Sequence, residues 1–144
     1  MVNIDNTFPL ISIVSPTNNT NTTNTGLHVN YSATDTNRQS CWYSNDTYST
    51  NTTLTACANV TDVTWNEGNH NVTIWTKDYA GNENSSSITF RIDSTPPEIT
   101  IDFPQGTYNV NTVSLNYTVI DTGVGTQACW YRNNTNGNIS IAYF

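Results

Sequence analysis

The amino-acid sequence predicts an all-β fold of stacked antiparallel sheets, and three observations carry that prediction. Short runs of Val, Ile, Thr, Tyr and Trp alternate with period two, Asn, Gly, Ser and Pro punctuate them, and no window shows a helical period. Of the 144 residues, 23 are Asn, 26 Thr and 12 Ser, a composition that by itself points to disorder. The 35% hydrophobic and 11% aromatic content outweighs it, because those residues arrive in strand-length runs able to bury a core.

Seven strands are expected before position 95. The first, 10–14, is an apolar run closed by Pro9 and Pro16. The second, 26–33, sets Leu27, Val29, Tyr31 and Ala33 on one face. The third, 39–44, is centred on Cys41, Trp42 and Tyr43, and the fourth and fifth, 51–56 and 59–65, are Thr-rich runs parted by Cys57 and Ala58. The sixth, 70–77, carries Val72 and Ile74 on its apolar side, and the seventh, 85–92, follows the turn signal at Gly81 and Asn82. Seven short antiparallel strands in about 88 residues are the size and strand count of an immunoglobulin or fibronectin type III sandwich.

Self-similarity sets the larger organisation. The stretch from Pro9 to Pro16 aligns with that from Pro97 to Pro104 at a displacement of 88, as does Cys41-Trp42-Tyr43 with Cys129-Trp130-Tyr131, while Asn30 to Thr36 aligns with Asn116 to Thr122 at 86. The chain therefore reads as an N-terminal extension (1–7), one complete repeat (8–95) and the first half of a second (96–144), with strands at 98–102, 112–120, 127–132 and 138–143. Half a sandwich leaves Leu115, Tyr117, Val119, Trp130, Ile139 and Ile141 without a facing sheet. Strands from another copy or another chain are expected to complete it, unless the 144 residues are part of a longer repeat protein. Residues 1–5, with Val2 and Ile4 alternating, are one candidate donor strand.

Residues 76–82, ending on Ala80-Gly81-Asn82, then the run from Ser87 to Asp93, then Thr95-Pro96-Pro97, together resemble the tandem immunoglobulin-like repeats of archaeal and bacterial surface proteins. That resemblance implies an immunoglobulin-like antiparallel β-sandwich serving as a stalk, spacer, adhesin arm or envelope component. The three cysteines, Cys41, Cys57 and Cys129, leave one unpaired within a chain, and the Cys41-Trp42-Tyr43 element followed by Cys57 resembles a subset in which a cysteine pair clips the sandwich. The pair Cys41–Cys57 is therefore expected as a disulfide, Cys129 has its expected partner beyond Phe144, and export to an oxidising surface follows. Gly81 supplies a positive φ for the last turn, and the prolines at 96 and 97 make a stiff joint between domains.

Composition narrows the function. With four Lys+Arg against 11 Asp+Glu, a net charge of −7, the chain lacks the basic surface that nucleic acid requires. No apolar run approaches the length of a membrane span, so no membrane insertion is expected, and residues 1–7 lack the features of a signal peptide, which suits a processed chain or an excerpt. No catalytic constellation is evident: His28 and His70 read as surface imidazoles, and there is no Gly-x-Ser-x-Gly elbow. The chain is expected not to be an enzyme and to need no cofactor. Asp35, Asp78, Asn82, Asp93 and Asp121 read first as turn-forming residues, with calcium as the ion their oxygens would suit.

Asn-x-Ser/Thr occurs 11 times, at Asn18, Asn21, Asn30, Asn45, Asn51, Asn59, Asn71, Asn84, Asn116, Asn133 and Asn138, where composition alone gives about six. Glycans are expected on an exposed subset. The expected role is thus a non-enzymatic structural module of the cell surface, with copies of itself, further repeats, glycans or other surface proteins as partners. The alternative is an adhesin or carbohydrate-binding sandwich that stacks sugars on Tyr43, Tyr48, Trp65 or Tyr79. Trp42 and Trp130 are expected in the cores.

Overall fold

The computed structural model describes residues 4–46, 50–132 and 137–141, which divide into two compact units, Met1–Ser94 and Thr95–Phe144. Both units are built of strands, and no α-helix occurs among the described residues.

In unit 1, β1 (Leu10–Ser15) pairs antiparallel with β3 (Asn30–Thr34), and a bridge between Val29 and Val60 adds the neighbouring chain. A second sheet has five strands in the order β2 (Thr20–Thr22), β7 (Glu83–Ile92), β6 (Gly68–Asp78), β4 (Arg38–Asn45), β5 (Thr52–Thr53). Period-two alternation directs Ile11, Val29 and Ala33 from the first sheet, and Cys41, Val72, Ile74, Ile88, Phe90 and Ile92 from the second, into one buried cluster closed by Val60 and Trp65. Two sheets sharing one core are compatible with a β-sandwich.

Three expectations need correction. The segment 51–56 is not one strand: after the two residues of β5 the chain turns through a 3-10 segment, Thr55–Cys57, with Ala56 and Cys57 at positive φ of 53° and 55°. That turn, held by Leu54 N–H donating to the Cys41 carbonyl at 2.9 Å, brings Cys57 back onto β4, where it forms the expected disulfide with Cys41 at a Cα separation of 5.1 Å. The segment 59–65 is not a strand either. It touches its neighbour at Val60, through reciprocal bonds with Val29, and again where Trp65 N–H donates to the Thr25 carbonyl at 2.8 Å, with no ladder between. Finally, β2 was not foreseen, and it pairs parallel to β7, so the sheet is not wholly antiparallel.

Residues 4–7 form no strand. The carbonyls of Asp5 and Thr7 accept from Asn82 Nδ2 at 3.0 and 3.2 Å, tying this segment to its own unit, and Ile4 is exposed. Met1 and Val2 lie outside the described residues.

Unit 2 contains two separate pairs, β8 (Glu98–Phe103) with β9 (Asn116–Ile120) and β10 (Cys129–Tyr131) with β11 (Ile139–Ile141). The expected last strand ran to 143, and positions 142 and 143 lie outside the described residues. The β8–β9 ladder coincides with β1–β3 when β1 is displaced by 88 positions and β3 by 86, including a register shift before Ser15 and before Phe103. The β10–β11 ladder coincides with β4–β5 at displacements of 88 and 87. The peptide bonds before Pro16 and Pro104 are both cis.

Burial distinguishes the units. Among the described residues of unit 2 only Cys129 is buried. Leu115 is exposed, as expected of a residue without a facing sheet, and Trp130 is exposed to 59%, while Tyr117, Val119, Ile139 and Ile141 are half-buried and Ile99, Ile101 and Ile120 also face solvent.

Candidate functional site

A concave region of unit 1 lies where β2, β7 and β6 run side by side. Their register sets Asn21 beside Arg91 and Arg91 beside Asn69 in one row. With Asn19, Asn71, Thr89, Asp46 and the rims of His70 and Phe90, this row lines a groove of about 560 Å³. Four amides and one guanidinium make it rich in hydrogen-bond donors and acceptors.

The groove is floored by a buried imidazole. His70 was expected on the surface at a strand start; instead it is buried between the rings of Trp65 and Phe90, at centroid distances of 5.1 and 5.4 Å. Its Nδ1 faces the Asp46 carboxylate at 3.1 Å and its Nε2 the Asn66 carbonyl at 2.8 Å. Asp46, in the left-handed region at φ 49°, also accepts from the backbone N–H of Asn71 at 3.1 Å, so β4 and β6 are clipped together here. No local signal announced this, because Asp46 and His70 are 24 positions apart. His28 is exposed, as expected.

The aromatic residues are sorted differently from expectation. Trp65, offered as a sugar platform, is buried, its Nε1 donating to the Leu27 carbonyl at 2.8 Å. Trp42, expected in the core, leaves it: Cys41 points inward to its disulfide, so the next residue points to the opposite face, where Trp42 stacks on Trp75 with centroids 6.3 Å apart. That alternation was available in the sequence. Trp130, also expected in a core, is exposed. Tyr43 is half-buried against the core, Tyr79 is exposed, and Tyr48 lies outside the described residues.

Of the calcium candidates, Asp78 and Asn82 are brought together in one turn. Asp78, without exposed surface, accepts from the backbone N–H groups of Gly81 and Asn82 at 2.7 and 2.8 Å and from Asn82 Nδ2 at 2.8 Å. Burial pushes its pKa up, and the bonds from Asn82 and Gly81 overcome that, leaving the carboxyl below its ordinary value. Asp35 caps the turn at Asn37, whose backbone N–H it accepts at 2.6 Å, and Asp121 accepts from Gly123 N–H at 2.9 Å in unit 2. Asp93 sits at the end of β7, its N–H bonded to the Thr22 carbonyl. Among the described residues no three His, Cys, Asp or Glu side chains group as metal ligands.

Of the sequon asparagines, Asn18, Asn21, Asn51, Asn59, Asn84, Asn116 and Asn138 are exposed, Asn30, Asn45 and Asn71 are half-buried, and Asn133 lies outside the described residues. No helix among the described residues is long and apolar enough to cross a membrane. No protein-family model matches the chain, and no curated protein matches its sequence.

Proposed function

We propose that the chain is a non-enzymatic structural module of an extracellular surface protein, an immunoglobulin-like sandwich repeated in tandem. It extends a stalk, fibre or pilus-like filament by end-to-end stacking, and strand complementation finishes the second repeat. One observation carries this reading. Unit 2 repeats the β1–β3 and β4–β5 registers of unit 1 yet has no counterpart of β6 and β7 among its described residues, and Ile99, Ile101, Leu115, Ile120 and Trp130 stand in solvent. Leaving several large apolar residues in water costs on the order of 10 kcal/mol, comparable to the stability of a small domain. The free side of β10 corresponds to the side on which β4 receives β6, where Cys41 pairs with Thr76 and Trp42 with Trp75. A strand added there from another copy makes a heterologous contact, and such contacts propagate.

The disulfide supports the surface assignment, because such bonds persist in oxidising compartments. Electron microscopy of the purified chain over rising concentration tests the reading. Ordered polymers are expected, and a chain that stays monomeric at every concentration with unit 2 fully folded contradicts it.

The groove over His70 favours a second reading, a carbohydrate-binding module, since amides and a guanidinium suit hydroxyl-rich ligands. Binding to a glycan array that is abolished by Asn69→Ala or Arg91→Ala would select it.

A further inference from the structure

The side-chain amides of three sequon asparagines have orientations fixed by what they meet. A backbone N–H only donates and a carbonyl only accepts, so each partner identifies which branch of the amide faces the protein. Asn18 Oδ1 accepts from the backbone N–H of Thr89 at 2.8 Å and from its hydroxyl at 3.1 Å. Asn59 Oδ1 accepts from the backbone N–H of Tyr31 at 3.1 Å. Both residues are exposed, and no acceptor among the described residues meets either Nδ2. Asn84 is arranged the other way: its Nδ2 donates to the Pro9 carbonyl at 2.9 Å, while its Oδ1 accepts from Ser85 N–H at 2.9 Å. The hydroxyl of its sequon is engaged too, since Ser86 Oγ accepts from the β1 backbone at Ile13, at 3.4 Å.

We propose that folded unit 1 presents Asn18 and Asn59 as N-glycan acceptors and withholds Asn84. The proposal rests on the surface reading only in requiring that the chain meet a glycosyl donor. That co-reactant is an oligosaccharide carried on a lipid pyrophosphate. The bond from Nδ2 to the anomeric carbon forms, the bond from that carbon to the pyrophosphate oxygen breaks, the pyrophosphate leaves with the electron pair, and Nδ2 gives up one proton. At Asn18 and Asn59 the sugar grows from the branch that faces solvent, and the Oδ1 bonds that tie the turn before β2 to β7 and hold the start of β3 are kept. At Asn84 a pyranose on Nδ2 crowds the carbonyl that this nitrogen already touches, between β7 and the chain entering β1.

The test is expression of the full chain in a host whose secretory pathway N-glycosylates, followed by peptide-level occupancy on the folded, disulfide-bonded product. Asn18 and Asn59 are expected to carry glycan and Asn84 to be bare. Asn18→Gln and Asn59→Gln each remove one glycan mass, whereas Asn84→Gln leaves the mass unchanged apart from the substitution and lowers Tm. Glycan on Asn84 to the same extent as on the other two, or both Asn18 and Asn59 bare, overturns the proposal. Should Asn84→Gln fail to be secreted, occupancy of the unsubstituted chain decides. Native material without carbohydrate speaks against the surface reading, while the host-expressed chain still decides the choice of site.

Discussion

Three N–H donors converge on the Asp78 carboxylate, and none of its surface is exposed. Folding lowers its pKa, so the folded state is favoured by the ionised form. That contribution is complete above the unfolded carboxyl's value of about 3.9, and it disappears as pH falls through the lower folded value. Thermal melting between pH 6 and pH 2 should therefore show Tm falling across the acid end, and Asp78→Asn should start lower at pH 6 and fall less steeply. An Asp78→Asn chain with the parent's Tm and acid slope would remove Asp78 from the account. The turn itself was legible, since Gly81 sits at φ 100° where a side chain is strained. What was not legible is that Asn82 reaches three ways, to Asp78 and to the carbonyls of Asp5 and Thr7, because two of those partners lie more than 70 positions away. The burial of His70 escaped notice for the same reason: its carboxylate partner arrives from another strand.

Strands with a clear apolar face were found close to their true places. β1, β4, β6 and β7 combine alternation with Pro, Cys or Gly punctuation. β2 lacks any apolar residue in Thr20-Asn21-Thr22 and exists only because β7 offers it a parallel edge, which no local pattern announces. The Thr-rich run at 51–56 has the propensity of a strand, but the cross-link to β4 overrides it and requires a left-handed turn at Ala56 and Cys57. The disulfide closes a 16-residue separation, worth about 3 kcal/mol in the chain-entropy model. Cys57→Ser is thus expected to lower the unfolding free energy of unit 1 by about that amount in urea titration, with Cys41 left as a buried thiol. A change within 0.5 kcal/mol, inside ordinary surface-substitution range, would show that the loop is ordered without it.

At the scale of the whole chain, the internal repeat legible from Pro9, Cys41 and their counterparts reappears as matching ladders in the two units, although one unit has a shared core and the other has none among its described residues. On the proposed reading, unit 2 becomes stable only when strands are added to it, from another copy or from further repeats. Hydrogen exchange on the 144-residue chain, read residue by residue over a concentration series, tests this most directly, because amide protection reports local opening free energy. The account predicts that β6 and β7 amides are protected at every concentration, while those of β8 to β11 exchange freely in dilute monomer and become protected as the chains associate. Strong protection of β8 to β11 in a chain shown by sedimentation to be strictly monomeric would contradict it.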